Sequence, residues 1–134
     1  MKLKRILIID DEVGFTKLLK LTLERTHLYQ VQVENNSTQA LEAARAFLPE
    51  LILLDVIMPD ADGGDVAARF KSDPVMKKVP IIFLTAMISP SEKKPGELIS
   101  GYPYLAKPVS IPDLIRTIER NLIKKPAPSS LGSG

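Results

Sequence analysis

The sequence predicts an α/β domain built on a parallel five-stranded sheet with helices on both faces. Two observations carry this. First, Ile6-Leu7-Ile8-Ile9, Leu51-Ile52-Leu53-Leu54 and Ile81-Ile82-Phe83-Leu84 are short, wholly apolar runs. A strand covered by helices has no solvent side on which polar residues could alternate, so it reads as such a run. Second, stretches with apolar residues at helical spacing separate these runs. Strands that alternate with helices specify a parallel sheet wrapped on both faces.

In chain order, Ile6-Leu7-Ile8-Ile9 is the first strand and ends at Asp10-Asp11-Glu12. A helix is expected from about residue 12 to 26, with Phe15, Leu18, Leu19 and Thr22 at helical spacing and Leu21 and Leu23 flanking them. Tyr29-Gln30-Val31-Gln32-Val33 alternates, which marks a strand with one exposed side at the sheet edge. Asn35-Asn36-Ser37 supplies a turn and an N-cap. The second helix turns Ala40, Leu41, Ala44, Phe47 and Leu48 inward and stops at Pro49.

The third strand, Leu51 to Leu54, runs straight into Asp55. Residues 58–64 are a loop, and Asp65 to about Lys71 form a short helix with Val66, Ala67 and Phe70 inward, broken at Asp73-Pro74. Pro80 to Thr85 is the fourth strand. Residues 88–100 should form a short or distorted helix, punctuated by Pro90, Pro95 and Gly96. Tyr102 to Ala106 is the fifth strand and meets Lys107-Pro108. Ser110 and Asp113 open the last helix in the manner of a capping box, and its core face is Ile111, Leu114, Ile115, Ile118 and Leu122. The domain thus spans residues 1–123. Residues 124–134, rich in Pro, Ser and Gly, read as a disordered tail, a linker stub or a cloning remnant.

Composition narrows the function. A chain of 134 residues with 45% hydrophobic and 25% charged content suits one soluble domain. With no cysteine, thiol nucleophiles, disulfides and Cys–zinc sites are excluded, and the single histidine, His27, cannot form a cluster. A net charge of +2 is too small to imply nucleic acid or a membrane surface. The N-terminal apolar run is too short for a signal peptide or a span, so a cytoplasmic location is expected.

In an open parallel sheet, ligands bind outside the carboxyl ends of the strands. Four of these strands end in polar residues: Asp10-Asp11, Asp55, Thr85 and Lys107. Each residue has an ordinary reading: acids at a helix start, a turn cap, a β-branched strand end, a solvated lysine. Together they suit one task. Three carboxylates and one ammonium sum to −2, which one divalent cation brings to zero, and carboxylates with water are the magnesium pattern. Lys107 suits a phosphate oxygen, and Thr85 can donate one hydrogen bond to it.

The motifs Ile8-Ile9-Asp10-Asp11-Glu12, Leu54-Asp55-Val56-Ile57-Met58-Pro59, Leu84-Thr85-Ala86 and Tyr104-Leu105-Ala106-Lys107-Pro108 resemble the receiver domain of two-component response regulators. This is the family of the single-domain chemotaxis regulator, and the resemblance covers about residues 3–123. It implies a flavodoxin-like, doubly wound (βα)5 fold with strand order 2-1-3-4-5. It further implies a phosphorylation-controlled switch rather than an enzyme acting on other substrates. Asp55 would be the phosphoacceptor. Asp10, Asp11, Asp55 and the backbone carbonyl of Ile57 would hold Mg²⁺. Lys107 would contact the phosphate, Thr85 and Tyr104 would be the switch pair, and Lys107-Pro108 would be cis.

The implied partners are a histidine kinase or a histidine phosphotransfer protein, and an unknown downstream protein. That protein would be met through the surface of the fourth helix, fifth strand and fifth helix, which also offers a route to dimers. Neither nucleic acid nor membrane is implied for this domain. Pro95 and Gly96 depart from the family by falling in its fourth helix. Ile57 and Met87, two residues after the phosphoacceptor and the switch threonine, cannot orient water, which implies slow loss of phosphate.

Two other classes compete. A haloacid dehalogenase-type hydrolase needs its nucleophile on the first strand with an Asp two residues later, where this chain has Glu12, and it needs a cap domain. A binding scaffold without chemistry has no need of Asp10, Asp11, Asp55, Thr85 and Lys107 together.

Overall fold

The computed structural model describes residues 2–58, 61–86, 98–99 and 101–123. The apolar runs become the centre of one sheet. β1 (Lys4–Ile9), β3 (Leu51–Asp55) and β6 (Ile81–Thr85) lie side by side in parallel, with β2 (Tyr29–Glu34) outside β1 and β8 (Tyr102–Ala106) outside β6. The parallel strands thus follow the expected 2-1-3-4-5 order, with β6 and β8 as the fourth and fifth.

Period-two alternation sends the apolar side chains to two separate cores. Ile6, Ile8, Leu51, Leu53, Ile82 and Leu84 meet Leu19 and Leu23 of α1 (Val13–Glu24) and Leu114 and Ile118 of α4 (Ile111–Ile123). Leu7, Ile9, Ile52, Leu54, Ile81 and Phe83 meet Ala40 and Ala44 of α2 (Ala40–Phe47) and Val66, Ala67 and Phe70 of α3 (Gly63–Ser72). This is the doubly wound arrangement. At the edge, Tyr29 and Val31 of β2 are buried while Gln30 and Gln32 are exposed.

Several details depart from expectation. The buried face of α1 is Thr16, Leu19 and Leu23, at i, i+3 and i+7, whereas Leu18 is 66% exposed. Several leucines here fit a helical period, so periodicity alone could not choose the face. A 3-10 turn, Ser37–Gln39, precedes α2, and Asn36 caps it by accepting from the Thr38 N–H. Leu48 is half exposed in the left-handed conformation (φ 54°) before Pro49, so it caps the helix instead of packing.

The expected loop at 58–64 includes a small antiparallel ribbon, β4 (Ile57–Met58) with β5 (Ala61–Asp62). α3 starts earlier than expected because Asp62 accepts from the Gly64 N–H. In the expected helix at 88–100, residues 88–97 and 100 lie outside the described residues. Leu98–Ile99 are not helical but form strand β7, antiparallel to β8 at the sheet edge. Gly101, at φ 85°, lets the chain reverse between them without a side-chain penalty. The expected tail, 124–134, also lies outside the described residues.

Candidate functional site

Parallel pairing brings the strand ends to one edge. Asp10 follows β1, Asp55 ends β3, Thr85 ends β6 and Lys107 follows β8. Asp55 pairs in register with Leu84, and Thr85 with Ala106. The Val56 N–H donates to the Leu84 carbonyl at 2.9 Å and the Lys107 N–H to the Thr85 carbonyl at 2.8 Å, which locks these ends together. Asp10, Asp55 and Thr85 are buried, and Asp11 is half-buried.

One carboxylate oxygen from each of Asp10, Asp11 and Asp55 falls within 4.8 Å of the others. Two of these acids are oriented locally. Asp10 Oδ1 accepts from the Glu12 N–H at 3.0 Å, and Asp55 Oδ1 accepts from the Ile57 N–H at 3.2 Å. Burial, followed by repulsion from Asp10, raises the Asp55 pKa to about 6; Lys107 and the Ile57 N–H act against the rise. The site is therefore short of positive charge, which a divalent cation would supply. A set of oxygen donors only, from three carboxylates, matches the preference of magnesium.

Lys107 Nζ lies 2.7 Å from Asp10 Oδ2, 2.5 Å from Glu12 Oε1 and 3.7 Å from Asp55 Oδ2. Burial by itself lowers its pKa, but hydrogen bonds to Asp10 and Glu12 and the attraction of Asp10 and Asp55 outweigh this, and the net shift is upward. The ammonium also stands over the Phe15 ring, 4.5 Å from its centroid. Lys107-Pro108 is cis. Tyr104 is buried, and its hydroxyl has no hydrogen-bond partner among the described residues. Ile57 is 48% exposed at the rim. Met87 lies outside the described residues.

The fold thus gathers Asp10, Asp11, Asp55 and Lys107 at one edge and puts Thr85 at the neighbouring strand end. Sequence reasoning missed the supports. Asn35 Nδ2 donates to the Asp10 carbonyl at 2.7 Å and to Thr16 Oγ1 at 3.0 Å, tying β2 to the site. Its one sequence signal is an asparagine just after a strand that ends at this edge. Glu12 stands in the first-strand motif and Phe15 in the helical period of α1, and neither pattern signals that both meet Lys107.

The family profile described as response regulator receiver domain matches residues 6–119. The chain belongs to this family. Receiver domains are phosphorylation-controlled signalling modules of two-component systems, and they generally bind Mg²⁺ at an acidic pocket. Response regulator Rre1 of Synechocystis is 31% identical over 93% of this chain and 54% of its own length. The polar-differentiation response regulator DivK of Brucella anthropi is 29% identical over 89% of this chain and 96% of its own length. The solved N-terminal domain of a response regulator receiver protein from Methanoculleus marisnigri shares 31% identity, with a TM-score of 0.66 over 89% of this chain and 96% of that one. The chain spans about half the length, or less, of the first curated relatives it matches: 54%, 27% and 23%. Among the described residues no helix is long and apolar enough to cross a membrane.

Proposed function

We propose that residues 1–123 form a cytoplasmic receiver module that accepts a phosphoryl group on Asp55 from the phosphohistidine of a histidine kinase or histidine phosphotransfer protein. The observation that carries this is the buried Asp55 carboxylate, clustered with Asp10, Asp11 and the Lys107 ammonium at one sheet edge. In the transfer, a carboxylate oxygen of Asp55 attacks phosphorus. A P–O bond forms, the donor's P–N bond breaks, and the imidazole leaves with the electron pair of that bond. Asp10, Asp11, Asp55 and the Ile57 carbonyl would hold Mg²⁺, which supplies charge neutralisation for the incoming phosphoryl oxygens. Lys107 supplies the second positive charge, and the Ile57 N–H keeps one Asp55 oxygen oriented.

Phosphate on Asp55 then draws the Thr85 hydroxyl, and Tyr104 repacks with it. This biases a two-state surface that includes β8 and α4 toward binding a downstream protein. The domain turns over no other substrate and contacts neither nucleic acid nor membrane.

The test is incubation with a small phosphodonor and Mg²⁺, read by intact mass. One phosphoryl group should appear on the parent chain, none on Asp55→Asn, and none in the presence of chelator. Labelling that persists in Asp55→Asn, or that ignores chelator, overturns the assignment.

A further inference from the structure

We propose that Glu12 and Phe15 form a cradle that positions the Lys107 ammonium, Glu12 being the partner Lys107 releases and Phe15 the contact it keeps when Asp55 takes up a phosphoryl group. The proposal rests on the reading of Asp55 as phosphoacceptor.

The ammonium lies nearer to Asp10 and Glu12 than to Asp55. Its contacts with Asp10 (2.7 Å) and Glu12 (2.5 Å) are direct, whereas Asp55 Oδ2 is beyond hydrogen-bond reach at 3.7 Å. Glu12 is placed for this by its backbone. It is the N-cap residue of α1, and its N–H is held by Asp10 Oδ1 at 3.0 Å. Its side chain is 59% exposed, so water screens its hold on the ammonium and can replace it. Glu12 is thus a negative charge at the mouth of a cleft meant for an anionic group, and it competes for the ammonium that group needs.

Phe15 differs in kind. It stands three residues on from Glu12, in the first turn of α1, and both side chains reach the same ammonium. Its ring packs against the core between α1, α4 and the sheet and cannot follow the ammonium. It has no need to. Nζ must travel about 1 Å to come within hydrogen-bond distance of an oxygen where Asp55 Oδ2 now sits. A cation keeps its attraction to a ring within about 6 Å of the centroid, and the present separation is 4.5 Å. Directed away from Glu12, the same movement stretches that contact from 2.5 Å to about 3.5 Å, the outer edge of hydrogen-bond reach, where water can take its place. Phe15 therefore keeps the long side chain over the cleft while its charge changes partners.

The experiment has two arms. In the first, initial rates of phosphorylation by a small phosphodonor with Mg²⁺ are followed by intact mass. Glu12→Gln should react at least threefold faster than the parent and Phe15→Leu at least twofold slower, with Phe15→Tyr restoring the parent rate. In a Lys107→Met background, neither Glu12→Gln nor Phe15→Leu should change the rate further. In the second, the Lys107 Hε protons are observed by NMR without metal or donor. They should carry an upfield ring-current shift that Phe15→Leu abolishes and Glu12→Gln retains. Glu12→Gln reacting no faster than the parent, effects that persist in Lys107→Met, or unshifted Lys107 Hε protons in the parent would each overturn the cradle. A parent chain that takes up no phosphoryl group overturns the phosphoacceptor reading instead, and the cradle is then decided by the Lys107 shifts alone.

Discussion

The α-carbon of Gly63 packs against the backbone that carries Asp55. A methyl group at Gly63 would lie 2.6 Å from the Asp55 carbonyl oxygen and 2.6 Å from the Val56 α-carbon. The Gly63 N–H donates to the Val56 carbonyl at 2.7 Å, so α3 begins directly on the strand end that presents the acid. Backbone cannot swing aside as a flexible side chain can, and any added bulk here must move Asp55 itself.

Gly63→Ala should therefore cost on the order of 1–3 kcal/mol, as overpacking does, and should slow phosphoryl uptake at Asp55. Gly64→Ala is the control. Its added methyl would meet only the Asp62 side chain, at 3.3 Å, and alanine is the better helix former, so its cost should stay within about 1 kcal/mol. Urea unfolding and mass-detected phosphorylation measure both. Equal behaviour of the two variants would refute the close-packing argument.

Clustered carboxylates repel one another until a cation joins them, so Mg²⁺ should stabilise the fold by mass action. At about ten times its dissociation constant the gain is about 1.4 kcal/mol, a rise of about 4 °C in melting temperature for a domain of this size. Asp11→Asn should abolish most of the rise. A melting curve of the parent chain that ignores Mg²⁺ would remove the case for a metal at this edge.

Far from the site, Asp73 joins α2 to α3. Its Oδ1 accepts from Arg45 Nε at 3.1 Å and Nη2 at 2.5 Å, and its Oδ2 accepts from the Val75 and Met76 N–H groups. The Arg45 hydrogen bond first, then the backbone N–H groups, hold the Asp73 carboxyl below the ordinary carboxylate range. A depressed folded-state pKa contributes stability that is present above the unfolded value and lost as pH falls through the folded one. Asp73→Asn should thus be less stable than the parent by a constant amount from about pH 5 to 8, and the gap should close below about pH 4. Denaturant midpoints across that range check it; a gap that widens in acid contradicts the assignment.

The lifetime of the phosphorylated form should be long. Ile57 stands at the rim of the site, 48% exposed, with a hydrocarbon side chain that cannot orient water. Positioning of water or a general base typically contributes about 10²–10⁴-fold to a hydrolytic step. Ile57→Asn and Met87→Glu should each speed phosphate loss several-fold, and the double variant more. If decay followed by intact mass is no faster in these variants, the two residues serve packing alone.

The central strands were legible in the sequence because burial on both faces leaves only apolar residues, and an apolar run is visible without knowledge of its neighbours. The gathering of Asp10, Asp11, Asp55, Thr85 and Lys107 at one edge followed from the same reasoning, since parallel strands all end on the same side. Single-residue conformations were less legible. Leu18 and Leu19 are both leucines in a helical pattern, and which of them is buried depends on how α1 rolls on the sheet.

The sequence by itself thus determined the α/β class, the strand order through the family resemblance, and the residues that meet at the strand ends. Only the tertiary structure decided the supports. Lys107 and Glu12 are 95 residues apart in the chain, yet 2.5 Å apart in space. Asn35 ties a neighbouring strand to the Asp10 carbonyl, and Leu98–Ile99 pair with β8 where a helix was expected. The physical reason is the range of the forces involved. Burial imposes its pattern on every residue of a strand, whereas a hydrogen bond, an ion pair or a close packing contact involves one partner and leaves no periodic trace in the sequence.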